Sequence, residues 1–427
     1  MTKKASYITL GCKLNYAETS TYERGFMKDG YESVPWSEKA DLYVINTCSV
    51  TEHADRKSRN IIRKIHRTAP DATVIVTGCY AQLKRAEVES LEGVSLVFGA
   101  NEKNSLVKTT LEFIDGRNVI RDNADVNDAV TFAAYSSGEE RTRSFLKVQD
   151  GCDNFCAYCT VPFARGRSRS ISIAEAVEEA KRIAASGVRE IVLTGVNTGD
   201  FGRKSGESFL DLLKALNEVE GIERYRISSI EPNLLTDEIV DWIASGTKFQ
   251  PHFHIPLQSG SDTLLKDVGR KYSTEFFASK IDYIREKMNP KPGDGSGKSD
   301  VFFGIDVIAG LPGETDELFM ETYNFLKDRV RPAFIHIFPY SRRAGTRSAA
   351  RKDQVQDCVK TKRVAMLEEL CKSLNEEFIA SQKGVKERVL FEESNNGGMM
   401  SGYTGNYIKV ERPWDEKLAG QIVEVTL

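Results

Sequence analysis

Cys152, Cys156 and Cys159 stand in the run Gly151-Cys152-Asp153-Asn154-Phe155-Cys156-Ala157-Tyr158-Cys159, a C-x3-C-x2-C triplet. Three thiolates at this spacing do not complete a tetrahedral zinc site, but they can hold three irons of a 4Fe–4S cube and leave the fourth iron open. An open iron is a place to bind and activate a ligand. The plainer readings are a zinc site with a distant fourth ligand, or unpaired thiols in the core.

Cys12, Cys48 and Cys79 form a second set, remote from one another in the chain. Between residue 5 and about residue 120, short apolar runs at 6–10, 42–46, 73–77 and 96–98 read as strands. Amphipathic stretches at 16–28, 55–68, 86–91 and 105–114 read as the helices between them. That alternation predicts a small doubly wound parallel sheet. Each of the three cysteines falls just past the end of one of the first three strands, and the carboxyl ends of such strands line one crevice. The topology therefore predicts a second three-thiolate cluster site.

The elements that must carry these sites belong to a chain of 427 residues, long enough for two or three domains. Its 59 basic and 62 acidic residues nearly cancel, so an RNA partner would have to be held by local patches. Eight cysteines without a secretory leader point to a reducing compartment, and no apolar run reaches membrane-spanning length. A cytoplasmic protein with no membrane contact is expected.

Residues 122–144 carry mixed charge without periodicity and read as a linker. A longer alternation follows, with strands at 145–149, 190–194, 225–230, 253–256, 301–309 and 334–338, and helices at 173–186, 234–244, 274–288 and 315–329. Its pattern fits a partial (β/α)6 barrel, with another open sheet as the alternative. The Pro/Gly/Ser-rich stretch 289–300 reads as a surface loop, and 352–383 as an outer helix bearing Cys358 and Cys371 as ordinary thiols. Strands at 387–393, 407–411 and 421–427, separated by glycine-rich segments, predict a small terminal β-barrel.

An open iron at Cys152, Cys156 and Cys159 could chelate the amino and carboxylate groups of S-adenosylmethionine. One electron would then release a 5′-deoxyadenosyl radical able to take hydrogen from an unactivated carbon. The cradle for such a cofactor would come from the carboxyl ends of the barrel strands, where Asn197, Asp200, Glu231, Gln258 and Asp306 are the candidates.

Leu10-Gly11-Cys12-Lys13-Leu14-Asn15, Asn46-Thr47-Cys48, Thr77-Gly78-Cys79-Tyr80, the cysteine loop with Val161-Pro162-Phe163-Ala164-Arg165-Gly166, Gly310-Leu311-Pro312-Gly313-Glu314 and the terminal barrel carry a likeness. Together they resemble the radical S-adenosylmethionine methylthiotransferases over nearly the full chain. The resemblance implies a methylthiotransferase domain at 1–121, the linker 122–144, a radical domain at 145–382 and a TRAM domain at 383–427. It implies two 4Fe–4S clusters, with Cys12, Cys48 and Cys79 holding an auxiliary one whose free iron would carry the sulfur to be inserted. One S-adenosylmethionine would methylate that sulfur; a second would be split to take hydrogen from carbon 2 of adenine.

Within the family, Leu10–Asn15 and the run Phe145–Cys152 look most like the enzymes acting on N6-threonylcarbamoyladenosine beside the anticodon. The implied partners are the tRNA anticodon stem-loop and a reductant such as flavodoxin or ferredoxin. The alternatives are the isopentenyladenosine enzymes and those modifying a ribosomal-protein aspartate. From another class, an iron–sulfur electron carrier with an RNA-binding barrel is disfavoured, because such carriers usually give each cluster four protein ligands.

For RNA, the densest basic stripe holds Arg56, Arg59, Arg63, Lys64 and Arg67. Arg165, Arg167, Arg169, Arg342, Arg343, Arg347 and Arg351 add further positive charge. His252 and His254 share a strand face and are expected to be packing or substrate-side groups.

Overall fold

The computed structural model describes residues 2–119, 126, 132, 135–137, 142–289 and 300–427. Most of the expected 122–144 linker and nearly all of the 289–300 insertion lie outside the described residues.

The first unit runs β1 (Lys3–Thr9), α1 (Lys13–Lys28), β2 (Tyr31–Ser33), β3 (Leu42–Thr47), α2 (Glu52–Thr68), β4 (Thr73–Gly78), α3 (Cys79–Leu83), α4 (Arg85–Glu89), β5 (Leu96–Val97) and α5 (Leu106–Ile114). Its five strands pair in parallel in the order β2-β1-β3-β4-β5. Every residue of β3 is buried, because helices cover both faces of the sheet. Ala17, Phe26 and Leu106 pack on Val44 and Ile75 on one face; Ile62, Ile65 and Tyr80 pack on Ile45 and Val76 on the other. Thr9, Asn46 and Thr77 stand in register across β1, β3 and β4, so the turns that follow emerge side by side. The edge strand β2 adds to the expected set; three residues are too few to show an alternation.

The central unit comprises β6 (Tyr135–Ser136), β7 (Arg143–Lys147), β8 (Gln149–Asp150), α6 (Val161–Arg165), β9 (Arg169–Ser170), α7 (Ile173–Ala185), β10 (Glu190–Thr194), α8 (Phe209–Asn217), β11 (Arg224–Ile227), α9 (Asp237–Ala244), β12 (His252–Gln258), α10 (Asp262–Val268), α11 (Thr274–Met288), β13 (Phe302–Ala309), α12 (Asp316–Asn324), β14 (Phe334–Pro339), α13 (Arg347–Ala350) and α14 (Asp357–Ser381). Strands β7, β10 and β11 form one parallel sheet, with β6 antiparallel at its edge; β12, β13 and β14 form another. The two meet at a parallel bridge between Tyr225 and Phe249 and where the Ile230 N–H donates to the His254 carbonyl at 3.1 Å. The described strands do not close into a continuous barrel. Helix α7 starts with the capping box that Ser172 and Glu175 form. Helix α14 lies against β14, burying Leu367, Leu370 and Leu374; the Ile335 N–H donates to Cys371 Sγ at 3.2 Å.

The last unit is an antiparallel sheet, β15 (Lys386–Phe391), β16 (Met399–Tyr403), β17 (Lys409–Pro413) and β18 (Ile422–Thr426), in the order β17-β16-β15-β18. Strand β16 corrects the expectation of a glycine-rich connection there. Gly402 sits inside it because a Cβ would come 2.6 Å from Val389 Cγ1 and 2.8 Å from the Leu390 carbonyl. Arg226 of β11 donates to the Thr404 and Gly405 carbonyls at 2.7 Å each, tying this sheet to the central unit. Among the described residues no helix is long and apolar enough to cross a membrane.

Candidate functional site

Cys12 caps α1, Cys48 follows β3 and Cys79 opens α3, so the register of β1, β3 and β4 delivers the three thiols to one edge. Gly11 (φ +97°) lets the first two turns approach: a Cβ there would lie 2.8 Å from Cys48 Cβ and 3.0 Å from its Sγ. Burial, then the neighbouring Cys79, pushes the Cys48 thiol up to about 12. Burial also raises Cys79, against the pull of Arg165. Cys12 acts electrostatically on both of the others.

Cys152, Cys156 and Cys159 lie on the loop between β8 and α6. The loop turns back at Gly151 (φ +71°), where a Cβ would come 2.1 Å from the Arg167 carbonyl. Phe155 packs edge-on against Phe163, and the Arg167 guanidinium lies 4.5 Å over the Phe155 ring. Burial pushes Cys152 up to about 11 and Cys159 up to about 12. Such thiols stay protonated alone and give up the proton to a metal.

Both triads fit an iron–sulfur cluster. All eight cysteines are free. Among the described residues, His254, Asp306 and His336 bring three ligand atoms within 4.8 Å of one another. Three thiols in each triad are one short of the four ligands that close a structural zinc site and match the three protein ligands of a cube with one open iron.

A cavity of about 300 Å³ is lined by Cys152, Cys156 and Cys159, by Asn197, Glu231, Gln258 and Asp306, and by Val50 and Thr51 from the turn after Cys48. Gln258 takes a left-handed backbone, φ +73°, at the irregularity in the β12–β13 register. Arg270 is ion-paired with Glu231, donates to the Tyr158 hydroxyl at 3.3 Å and faces Cys156. Asn197 accepts from the Glu231 N–H at 3.2 Å. Asp200, the fifth expected cofactor contact, does not line this cavity; it is buried 3.3 Å from Arg203, and its charge still acts on Cys152.

A buried charge network joins the two triads. Glu18 on α1 meets Lys103 at 2.7 Å, Lys147 at 2.8 Å and Arg165 at 3.2 Å. Asp150 meets Lys147 and Arg165 at 2.8 Å and Arg169 at 3.0 Å. Burial alone would raise Glu18, but Lys103, Lys147 and Arg165 outweigh it and hold the carboxyl well below its ordinary range. Asp150 is held down in the same way by Lys147, Arg165 and Arg169. Four buried cations thus face two carboxylates, and Arg165 also acts on Cys79 and Cys12. Thiolates at these cysteines would add negative charge facing the same cations. A second tie is Arg343, which reaches from beyond β14 to the Ser49 hydroxyl at 2.7 Å and Asp55 at 2.8 Å.

These contacts correct part of the basic-patch reading: Arg165, Arg169 and Arg343 are buried in ion pairs rather than turned to solvent. On α2, Arg56, Arg63 and Arg67 are exposed and form no ion pair with described residues, while Lys64 lies 4.3 Å over the Trp36 ring. Arg59 is turned to Glu87 at 3.0 Å and to Tyr80. His252 stacks on Phe302 at 5.2 Å, and His254 bonds Asp306 at 2.5 Å. Glu18, Asp150 and Arg270 join the site without a sequence signal; nothing local in the chain marks them as partners.

Fold and site together define a radical S-adenosylmethionine enzyme. Residues 146–326 match the Radical SAM superfamily and residues 4–99 match Uncharacterized protein family UPF0004. The chain is 39% identical over 99% of its length to the threonylcarbamoyladenosine tRNA methylthiotransferase of Bacillus subtilis, covering 93% of it. It is 37% identical over 99% of its length to the Aquifex aeolicus protein of that name, covering all (100%) of it. With the tRNA-2-methylthio-N(6)-dimethylallyladenosine synthase of Carboxydothermus hydrogenoformans it shares 31% identity, covering 100% of this chain and 97% of that one. The fold resembles that of the radical S-adenosylmethionine methyltransferase TsrM from Kitasatospora setae, solved with cobalamin and a 4Fe–4S cluster (TM-score 0.59, 16% identity, covering 82% of this chain and 77% of that one). The chain belongs to the radical S-adenosylmethionine methylthiotransferase family, whose cofactors are S-adenosylmethionine and 4Fe–4S clusters.

Proposed function

We propose that the chain adds a methylthio group to carbon 2 of N6-threonylcarbamoyladenosine beside the tRNA anticodon, giving 2-methylthio-N6-threonylcarbamoyladenosine. The observation that carries this reading is the cavity beside Cys152, Cys156 and Cys159, whose wall also includes Val50 and Thr51, two and three residues past Cys48 of the other triad. The 39% identity to a threonylcarbamoyladenosine enzyme, against 31% to a dimethylallyladenosine synthase, favours that nucleoside.

Bound at these triads, the clusters supply an electron to cleave S-adenosylmethionine and a seat for the sulfur to be transferred. Cys152, Cys156 and Cys159 hold the first, and Cys12, Cys48 and Cys79 the second. Asn197, Glu231, Gln258 and Asp306 receive the polar groups of S-adenosylmethionine, with Glu231 fixed by Arg270. Arg165 and Arg343 hold the two triads in a set relation, so little reorganisation precedes reaction.

The two parallel sheets of the central unit are the halves of a partial (β/α)6 barrel within a radical domain at 145–382. Residues 1–121 form the methylthiotransferase domain, 122–144 the linker, and the antiparallel sheet within 383–427 a TRAM domain. Arg56, Arg63, Lys64 and Arg67 meet phosphates of the anticodon stem-loop, since α2 begins at the cavity edge by Thr51. The protein works in the cytoplasm with a flavodoxin- or ferredoxin-type reductant.

Mass spectrometry of tRNA nucleosides from cells with and without this chain tests the reading. Loss of 2-methylthio-N6-threonylcarbamoyladenosine alone is expected; loss of a methylthio isopentenyladenosine instead would replace it.

A further inference from the structure

A second cavity, about 720 Å³, adjoins the first at Ser229, which lines both. Its size falls within the roughly 300–1,000 Å³ of small-ligand sites. Cys12 and Lys13 form part of its wall, and Thr194, Ser228, His254 and His336, from β10, the end of β11, β12 and β14, form another part. Several of these polar groups lack partners. Thr194 and Ser228 are 1% and 6% exposed, and their hydroxyls make no hydrogen bond. The rest of the wall is largely apolar, with Leu14, Phe302, Phe378 and Ile379, so the two unpaired hydroxyls are fixed points at which a ligand's polar atoms would bond.

Lys13 adds a charge to the same space. Its ammonium forms no hydrogen bond or ion pair with any described residue. The cations near it are already engaged: Arg226 pairs with Glu190 at 2.8 Å, and Arg143 pairs with Glu392. Asp306, the carboxylate nearest the imidazoles of this wall, is bonded to His254. The cavity therefore offers the Lys13 ammonium, the Thr194 and Ser228 hydroxyls and the unpaired His252 Nδ1, a set for a small acid that also carries hydroxyl or carbonyl oxygens.

We propose that this cavity seats the N6 substituent of the substrate adenosine, with Lys13 receiving the carboxylate of its hydroxy-amino-acid arm and Thr194 and Ser228 bonding its hydroxyl and carbamoyl atoms. The inference rests on the function proposed above and narrows it to a specificity-determining residue. An apolar substituent of similar length leaves the ammonium and both hydroxyls unpaired, so the site discriminates against it. Because Cys12 lines the same cavity, the arm's seat is continuous with the Cys12, Cys48 and Cys79 triad.

The test is binding of synthetic anticodon stem-loops to the full chain reconstituted anaerobically with iron and sulfide. The modified adenosine carries the free threonyl acid, its methyl ester, or an isopentenyl group. Wild-type protein is expected to bind the acid about tenfold or more tightly than the ester, as a charge-assisted bond requires. Lys13→Met binds acid and ester alike, and Lys13→Arg keeps the preference. Thr194→Val answers the question where the lysine variants fold poorly: it weakens acid and ester several-fold and leaves the isopentenyl stem-loop unaffected. A wild-type ratio near one, or a ratio that survives Lys13→Met, overturns the inference while the proposed function stands. Methylthiolation of isopentenyl-bearing tRNA with threonylcarbamoyl tRNA left untouched overturns both.

Discussion

The Arg165 guanidinium, just past the Cys152–Cys159 loop, lies 3.2 Å from the Glu18 carboxylate on the helix that Cys12 caps. Both are buried, and Asp150 and Lys147 complete the contact. Arg165→Met takes one buried partner from each carboxylate while Glu18 keeps Lys103 and Lys147 and Asp150 keeps Lys147 and Arg169, so a destabilisation of about 1.5–3 kcal/mol is expected. Urea unfolding of wild type and variant measures it. A difference below about 1 kcal/mol would mean that the pair contributes no more than a surface ion pair.

Glu18 and Asp150 also set the acid limit of the fold. Their native carboxyls titrate well below the unfolded range of about 4, so the unfolded chain binds more protons once the pH enters that range. Their contribution is complete above it and is lost as the pH falls toward the depressed native values. Thermal unfolding between pH 3 and 7 should therefore show a steep loss on the acid side that Glu18→Gln flattens. A variant with the wild-type slope would contradict the assignment.

Gly11→Ala tests the packing of the first triad. The added Cβ meets Cys48 at 2.8 Å in a left-handed backbone conformation, and the Cys12 and Cys48 turns must separate. Iron content after anaerobic reconstitution should fall from about eight to about four per chain. Full iron content would show that the turns need not be so close.

On α2, the charge reversals Arg63→Glu and Arg67→Glu should weaken tRNA binding and lower the salt slope by about 1 for each phosphate no longer neutralised. Arg59→Ala, whose guanidinium is taken by Glu87 and Tyr80, should leave the slope unchanged. Filter binding across salt concentrations distinguishes these outcomes; a wild-type slope in the double variant removes α2 from the interface.

The strands that deliver Cys12, Cys48 and Cys79 are legible in the sequence because each contains a short run rich in apolar and β-branched residues, as Leu42–Ile45 is in β3. The cysteines' convergence then follows from topology. Strand β2 and the glycine-bearing β16 are not legible, since one is too short and the other is held by close backbone packing instead of side-chain alternation. Arg165 and Arg169 look like a solvated basic run because their partners are not their neighbours. Glu18 is 147 residues from Arg165, and Asp150 is 15 residues from Arg165 and 19 from Arg169. A charge run carries no local sign of whether it faces water or a buried carboxylate. Arg270 is silent for the same reason: it reaches Glu231 only because Gly269, in a left-handed conformation, ends α10 just before it.

The most direct measurement is a Cys48→Ala protein, reconstituted anaerobically and supplied with S-adenosylmethionine, reductant and tRNA bearing N6-threonylcarbamoyladenosine. With the Cys152, Cys156 and Cys159 site intact, it should release 5′-deoxyadenosine yet install no methylthio group. Methylthio nucleoside formed at the wild-type yield would contradict two triads working on one cavity.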